Sequence, residues 1–243
     1  MVESGKHLKK MGVMNIRKLI TGVIALSVVL SPILIAIGGC GEDRSMDKTE
    51  ELGPVEIREY EGTDLSSVDD FRENSIKGPQ HIDDIASYGL KITGLVKNPK
   101  SNTYEDVIDN YQHYEKVVTL DCVEGWSVTI LWEGVLVREL IAESSPLPNA
   151  KVVIFHAYDG YTTSLPLDYI MNNDIIMAYK MNEVTLPAER GFPFQLVAES
   201  KWGYKWIKWI TEIELSDDVN YRGYWETRGY SNTGDLDKGF FEE

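Results

Sequence analysis

Short segments in which apolar and polar residues alternate, or which are continuously apolar, recur along the second half of the chain. Both patterns are typical of β-strands with one or two buried faces. The segments are residues 88–96, 114–121, 126–132, 151–156, 175–180, 194–198 and 205–215. Segments with the pattern of short helices lie between them, at 103–111, 135–142 and 165–171. Because strands and helices do not alternate regularly, the chain is predicted to be α+β, a β-rich mixed sheet domain, rather than a doubly wound parallel sheet.

The beginning of the chain has a different pattern. Residues 19–37 are apolar and uncharged, and several lysines and arginines precede them. A basic segment followed by an apolar core is typical of a secretory signal. Small residues before Cys40 resemble a lipoprotein cleavage site, which would leave a lipidated Cys40 as the first residue of the mature protein. The alternative is an uncleaved membrane anchor. Both predict an extracytoplasmic domain held at a membrane.

Four segments are predicted along the chain. Residues 1–40 form the signal, lipoprotein or anchor segment, and the acidic, weakly periodic residues 41–62 form a tether. Residues 63–215 form the folded domain, which is long enough for a sizeable core. Residues 216–243, rich in aromatic residues and arginine, form an extension that we expect to wrap over the domain.

The net charge narrows the range of partners. It is -15 for the whole chain, and the loss of the basic first segment would make it more negative. Such a surface repels nucleic acid and anionic lipid, so binding of DNA, RNA or a membrane through basic patches is excluded. A basic protein partner is favoured over an acidic one.

Cys122 is the only cysteine outside the first segment, and it follows a strand-like run where the chain turns. It has no internal disulfide partner in a mature domain, so it is a buried filler, a nucleophile or a soft metal ligand. A cysteine protease would need a histidine base, for which His156 is available without local support. The chain's four histidines are isolated, which argues against a zinc or non-haem iron site of the usual kind.

Three further segments place polar groups beside turns. Residues 159–167 put Tyr161 and several hydroxyls on a tight turn, and residues 186–194 put Arg190 on a loop bounded by glycine and proline. In residues 201–209 lysines and aromatic residues are interleaved around a glycine. Lysines so placed can clamp a phosphate together with backbone N–H groups. The alternative is an amphipathic strand whose lysines face water.

Taken in order, these segments resemble the molybdopterin-binding domain of the sulfite oxidase family. The matching segments are Cys122, DGYTTSLPL at 159–167, AYKMN at 178–182, LPxxRGFP at 186–193 and GYKWIKWI at 203–210, with a weaker match in FRENS at 71–75. The resemblance extends from about residue 65 to residue 215. It implies a mixed β-rich fold around one molybdenum, held by the dithiolene of molybdopterin and by one cysteine thiolate of the protein.

The resemblance also implies roles for individual residues. Cys122 matches the molybdenum ligand, and Tyr161 matches an active-site tyrosine near the oxo group or substrate. The residues implied to contact the cofactor are Arg72, Asn74, His156, Arg190, Lys205, Trp206, Ile207 and Lys208. For His156, a role as a core histidine is an equal alternative.

Two departures from the family pattern bear on substrate. Glu124 and Trp126 follow Cys122 where sulfite oxidases carry arginines, and Gln195 stands where an arginine usually helps to hold the cofactor. A carboxylate there would repel sulfite. We therefore expect a neutral or bulkier oxo compound as substrate, either a small molecule or an oxidised side chain such as methionine sulfoxide.

The function expected from the sequence is that of an exported molybdopterin-dependent oxidoreductase that transfers an oxygen atom and exchanges electrons with a separate carrier protein. The alternative is a non-catalytic cell-surface binding lipoprotein that keeps the fold. The sequence makes no prediction of the oligomeric state.

Overall fold

The structure is a computed structural model, which describes residues 8–11 and 54–241. The apolar run at 19–37 and Cys40, on which the predictions of a lipid or a membrane anchor depend, lie outside these residues. No helix within the described ranges combines the length and the apolar character that crossing a bilayer requires.

Within residues 8–11 and 54–241, thirteen short strands make up most of the regular structure. They are β1 (Lys9–Lys10), β2 (Glu59–Tyr60), β3 (Thr63–Asp64), β4 (Leu90–Gly94), β5 (Lys100–Asn102), β6 (His113–Asp121), β7 (Ser127–Leu136), β8 (Val152–Ala157), β9 (Thr162–Pro166), β10 (Ile176–Met181), β11 (Val184–Thr185), β12 (Gln195–Val197) and β13 (Ile210–Ser216). The helices are α1 (Tyr104–Asn110), α2 (Val137–Glu143) and α3 (Leu167–Asn172). The prediction of an α+β, strand-rich domain is confirmed.

Two sheets, one of six strands and one of five, form most of the described part of the domain. The first has the order β1-β6-β7-β10-β11, with β12 also paired to β10, and its pairings are antiparallel. The second has the order β5-β4-β13-β8-β9, in which β4 and β13 are parallel and the other pairs are antiparallel. Strands β2 and β3 form a separate hairpin that falls across the predicted boundary at residue 62.

The periodicity of the sequence explains why these segments are strands and helices. In β6, Val118 and Leu120 are buried while their neighbours are half-buried, as expected for a strand with one face on the core. Helix α1 begins at a capping box, in which the Thr103 side chain accepts from the N–H of Asp106 and the Asp106 carboxylate accepts from the N–H of Thr103.

One predicted strand begins later than expected. The alternation of lysine and aromatic residues favoured a strand from residue 205, but β13 starts at Ile210. The preceding residues form a 3₁₀ turn at Gly203–Lys205 and an irregular stretch that ends at Trp209. Trp209 has a φ of 53°. An aromatic residue in the left-handed region is unusual, and it turns the chain sharply before the strand.

The segment after β13 packs on the second sheet. Tyr224 donates its backbone N–H to the carbonyl of Thr162, at 3.0 Å. A Cβ atom at Gly223 would lie 2.2 Å from the same carbonyl oxygen, so only a glycine permits this approach. The C-terminal extension therefore lies directly against β9.

Candidate active site

A cavity of about 450 Å³ lies among five loops and the C-terminal extension. The lining residues of the loops fall within 71–78, 120–126, 159–161, 189–195 and 203–209, and the extension contributes Trp225 and Tyr230. Eight of the site residues predicted from sequence line this cavity: Arg72, Asn74, Cys122, Tyr161, Arg190, Trp206, Ile207 and Lys208.

Cys122 lies in the turn between β6 and β7. Its N–H donates to the carbonyl of Trp126 at 2.9 Å, and Gly125, with a φ of 85°, supplies the left-handed position that the turn needs. The residue is 8% exposed. Its sulfur accepts hydrogen bonds from Nδ2 of Asn74 at 3.7 Å and from the backbone N–H of Glu124. Burial raises the pKa of the Cys122 thiol, and these two hydrogen bonds oppose the increase.

The loop of residues 203–209 packs against this turn. A Cβ atom at Gly203 would lie 3.2 Å from the carbonyl oxygen of Asp121 and 3.6 Å from Cα of Cys122, so glycine permits the contact. At the end of the loop, the buried Trp209 donates its indole N–H to the carbonyl of Ala188 at 2.6 Å. The loop is thereby held at both ends while its middle faces the cavity.

The middle of this loop offers unpaired donors. Within residues 8–11 and 54–241, nothing accepts a hydrogen bond from the backbone N–H of Ile207 or Lys208. The Lys208 ammonium donates to Oε1 of Glu73 at 2.5 Å and to the carbonyl of Glu189 at 3.2 Å. Burial lowers the pKa of Lys208, and Glu73 opposes the decrease. Two backbone donors beside an ammonium group form a site suited to an anionic group.

Two residues predicted to contact the cofactor lie elsewhere. Lys205 is fully buried and forms an ion pair with Glu226, and it also donates to the carbonyl of Ser164 at 3.1 Å. His156, on β8, has its Nε2 2.9 Å from Oε2 of Glu214. Neither residue lines the cavity. The structure therefore does not bring Lys205 or His156 to the site, because each is paired with a carboxylate outside it.

Tyr161 forms part of the cavity wall as a neutral phenol. Its hydroxyl donates to the carbonyl of Tyr204 at 2.5 Å. Burial raises the pKa of Tyr161 well above its usual value, and the nearby Glu226 adds to the effect. The hydroxyl consequently stays protonated across the physiological range, so it can orient a group but cannot serve as a base.

The two arginines have different roles. Arg190, which is 6% exposed, donates from Nε to the carbonyl of Val68 and from Nη2 to that of Phe71, both at 2.8 Å. Its guanidinium also lies 3.9 Å from the centroid of the Phe71 ring. Arg190 thus fixes the loop that carries Asn74. Arg72 is at the cavity mouth, where its Nη1 lies 3.9 Å from Oε2 of Glu124.

Two polar side chains that line the cavity, Gln195 and Ser75, were not predicted from the sequence to bind the cofactor. Gln195 is 5% exposed, and no partner for its amide exists among the described residues. The buried Oγ of Ser75 likewise lacks a partner. Gln195 stood out only as a departure from a family pattern, and Ser75 only as a neighbour of Asn74. The Ser75 Oγ is a fully buried polar atom without a partner, which is rare, and the Gln195 amide is unpaired at the cavity wall. Both groups fit a ligand that supplies the missing hydrogen bonds.

The strand-rich fold and a cavity that combines one thiol with unpaired polar groups are features of a protein that binds a polar organic cofactor. Residues 77–225 match the family described as the oxidoreductase molybdopterin binding domain. The chain belongs to this family, and its cofactor is molybdopterin. The resemblance found in the sequence is therefore confirmed.

Several relatives show how widely this domain is used. An uncharacterized oxidoreductase of Bacillus subtilis, YuiH, is 33% identical over 156 residues, which are 64% of this chain and 78% of YuiH. The catalytic subunit MsrP of a protein-methionine-sulfoxide reductase from Gluconobacter oxydans is 33% identical over 145 residues, 53% of this chain and 46% of that one. An NADPH nitrate reductase of Fusarium oxysporum is 30% identical over 168 residues, 58% of this chain and 19% of the enzyme.

A solved structure supports the fold. The sulfane dehydrogenase SoxCD of Paracoccus pantotrophus superimposes with a TM-score of 0.58 at 23% identity, covering 62% of this chain and 43% of that one. This chain therefore spans less than half the length of SoxCD, MsrP and the nitrate reductase.

Proposed function

We propose that the chain is an exported molybdenum-dependent oxidoreductase that transfers an oxygen atom, with Cys122 as the protein's ligand to the metal. The observation that carries the proposal is the placement of the Cys122 sulfur in the cavity, where Asn74 and the Glu124 N–H donate to it. Hydrogen bonds of this kind favour a thiolate, and a thiolate is a soft donor suited to a metal bound by other sulfur atoms. When bound, the cofactor supplies the redox chemistry.

The cavity has complementary groups for the rest of the cofactor. The backbone N–H groups of Ile207 and Lys208, with the Lys208 ammonium, would hold the phosphate of molybdopterin. Gln195 and Ser75 would provide hydrogen bonds to the polar edge of the pterin. Arg190 acts as a positioning residue, since its Nε and Nη2 donors hold the carbonyls of Val68 and Phe71.

The charge at the mouth supports a neutral substrate. The Trp126 indole donates to Glu124 at 3.2 Å, and this hydrogen bond, with one from the Asn74 side chain, lowers the pKa of Glu124. Glu124 is therefore ionised at neutral pH and offsets the positive charge of Arg72 beside it, so the mouth does not attract anions such as sulfite or nitrate. A neutral sulfoxide, as a small molecule or as an oxidised methionine side chain, does not depend on such attraction. The name of the Gluconobacter relative points to the same chemistry.

The remaining parts of the proposal come from the sequence. Export, and attachment to a membrane through a lipid on Cys40 or through an uncleaved N-terminal segment, follow from residues 1–40. A separate electron-transfer protein would renew the redox state of the site after each turnover.

The experiment that tests the proposal is analysis of molybdenum and pterin in protein purified from its own host. We expect about one molybdenum per chain, and we expect Cys122→Ser to fold but to lose turnover of a sulfoxide. Thr119→Ser, on strand β6, which leads to Cys122, but outside the cavity, is the matched control and should keep both. Full turnover by Cys122→Ser would refute the ligand role. Absence of metal and pterin from the native protein would favour the non-catalytic binding lipoprotein.

A further inference from the structure

Residues 8–11, which lie within the predicted signal segment, contain strand β1 (Lys9–Lys10), which pairs with the outer edge of β6. Lys9 pairs with Glu115 and Lys10 with Tyr114 in antiparallel register. Beyond the strand, the N–H of Met11 donates to the carbonyl of His113 at 3.0 Å. Nε2 of Gln112 donates to the carbonyl of Met11 at 2.5 Å. The contact is therefore a run of main-chain pairing, closed at its end by a side-chain amide.

The side chain of Lys9 is held by a cluster of acceptors. Its Nζ lies 3.1 Å from the hydroxyl of Tyr60, 3.4 Å from Oε1 of Glu61 and 3.5 Å from Oε1 of Glu115. The Tyr60 hydroxyl in turn donates to Glu115 at 2.5 Å, which orients both groups toward the lysine. We name Tyr60, Glu61 and Glu115 the acidic clamp. Among the described residues, the Lys10 side chain has no such partner.

The outer edge of β6, with the acidic clamp beside it, suits an added strand that carries a lysine opposite the clamp. An exposed sheet edge presents unpaired N–H and C=O groups, to which an extended segment can add as a further strand. In such complexes the main chain gives the affinity and side-chain pockets give the specificity. Here the acidic clamp takes the lysine at position 9, while Leu8 packs against the core.

We propose that the outer edge of β6 at residues 113–115 is a strand-docking site, and that its ligand is the chain's own N-terminal basic segment, residues 8–11. Docking places this segment on the same side of any membrane as the folded domain. One membrane crossing between residues 11 and 54 would separate the two, and cleavage before Cys40 would remove the segment. The docked form is therefore that of the precursor, with its basic segment held on the domain. Insertion or processing must first release it.

Hydrogen exchange on the intact chain of 243 residues, in detergent, tests the docking. We expect protection of the Met11 amide and of the amides of residues 113–115. In Lys9→Glu we expect this protection to fall roughly three- to tenfold, because an attractive pair becomes a repulsive one. Lys10→Glu is the matched control: it changes the charge of the basic segment equally but leaves the acidic clamp intact, and it should keep the protection.

A charge exchange completes the test. Combining Lys9→Glu with Glu115→Lys reverses the ion pair and should restore most of the protection. Thermal unfolding of each variant checks that the domain remains folded. Rapid exchange at residues 8–11 in the wild-type chain would overturn the docking site, and equal exchange in Lys9→Glu and Lys10→Glu would overturn the role of the acidic clamp. Neither result involves catalysis, so failure here is distinguishable from failure of the proposed function.

Discussion

Lys205 and Glu226 form an ion pair in which both side chains are fully buried. Lys205 belongs to the loop of residues 203–209, and Glu226 belongs to the C-terminal extension. The hydroxyl of Thr163, on β9, also donates to Glu226 at 2.6 Å. The sequence suggested Lys205 as part of a phosphate clamp. Instead, Lys205 connects the loop of residues 203–209, here called the cavity loop, to the second sheet through Ser164 and to the extension through Glu226.

Loss of one partner of this pair should destabilise the protein strongly. We expect Lys205→Met or Glu226→Leu alone to lower the free energy of unfolding by about 3–5 kcal/mol, because each leaves an uncompensated buried charge. The double variant should cost much less than the sum, since it leaves no such charge. Urea unfolding at neutral pH measures all three.

The exposed pair of Lys238 and Asp235 provides the control for this measurement. Lys238→Met should change the free energy of unfolding by no more than about 1 kcal/mol, because solvent screens that pair. A single Lys205 variant as stable as this control would contradict the structural role of the buried pair.

The two lysines of the cavity loop show what sequence could and could not predict. Lys205 and Lys208 are equivalent in the local alternation of lysine and aromatic residues. Their different positions arise from the 3₁₀ turn at Gly203–Lys205 and from the left-handed backbone at Trp209. Lys205 also depends on Glu226, a partner that no local pattern specifies. The strands were predictable because their sequences alternate or are continuously apolar, whereas in this loop the backbone departs from the strand that the alternation predicted.

The candidate site residues also differ in how far the sequence could predict them. Cys122 could be singled out from sequence as the one cysteine outside the first segment, and the family resemblance implied its role as a metal ligand. The unpaired amide of Gln195 could not, since the absence of a partner is a property of the packed cavity. Arg190 was found as a residue, but its contacts with the Val68 and Phe71 carbonyls require the tertiary structure.

Gln195 allows a test that separates stability from cofactor binding. Gln195→Leu removes an amide that lines the cavity and has no protein partner among the described residues, so the cofactor-free protein should be about as stable as the wild type. The variant should nevertheless retain less molybdopterin. Calorimetry of the cofactor-free protein and pterin analysis of the native preparation measure the two effects.

Gln112→Leu is the matched control for Gln195→Leu. The Gln112 amide donates to the carbonyl of His113 and, in the full-length chain, to that of Met11, so its loss from the full-length chain should cost roughly 1 kcal/mol and leave the pterin content unchanged. If Gln195→Leu retained full pterin content, this amide would have no part in cofactor binding.

Arg190→Lys should loosen the loop that carries Asn74. A lysine cannot reproduce the paired donation to the Val68 and Phe71 carbonyls or the stacking on Phe71. We expect lower molybdenum occupancy and faster proteolysis within residues 68–76. Arg138→Lys, which alters an arginine paired with Asp174 outside the cavity, should change neither. Normal occupancy with an unchanged cleavage rate would exclude a positioning role for Arg190.

Glu124→Gln should change the choice of substrate. Removing this charge from the cavity mouth should raise kcat/KM for an anionic oxo compound, such as nitrate, by about fivefold at low salt. The value for a neutral sulfoxide should remain nearly constant, and the gain should shrink as ionic strength increases. Glu143→Gln, remote from the cavity, controls for the loss of one negative charge. An equal change for both substrates would rule out charge selection by Glu124.

Acid should destabilise the protein in part through Glu143. The Lys100 ammonium, followed by the Tyr111 hydroxyl, lowers the pKa of this carboxyl below its usual value. Since the folded-state pKa is the lower one, the stabilisation is present above the unfolded-state value of about 4.3 and is lost as pH falls through the folded-state pKa. Urea unfolding between about pH 6 and pH 3 should therefore show a smaller loss of stability in Glu143→Gln than in the wild type. Tyr111→Phe, which leaves Lys100 in place, should lie between the two. Identical slopes for Glu143→Gln and the wild type would show that this carboxylate takes no part in the acid sensitivity.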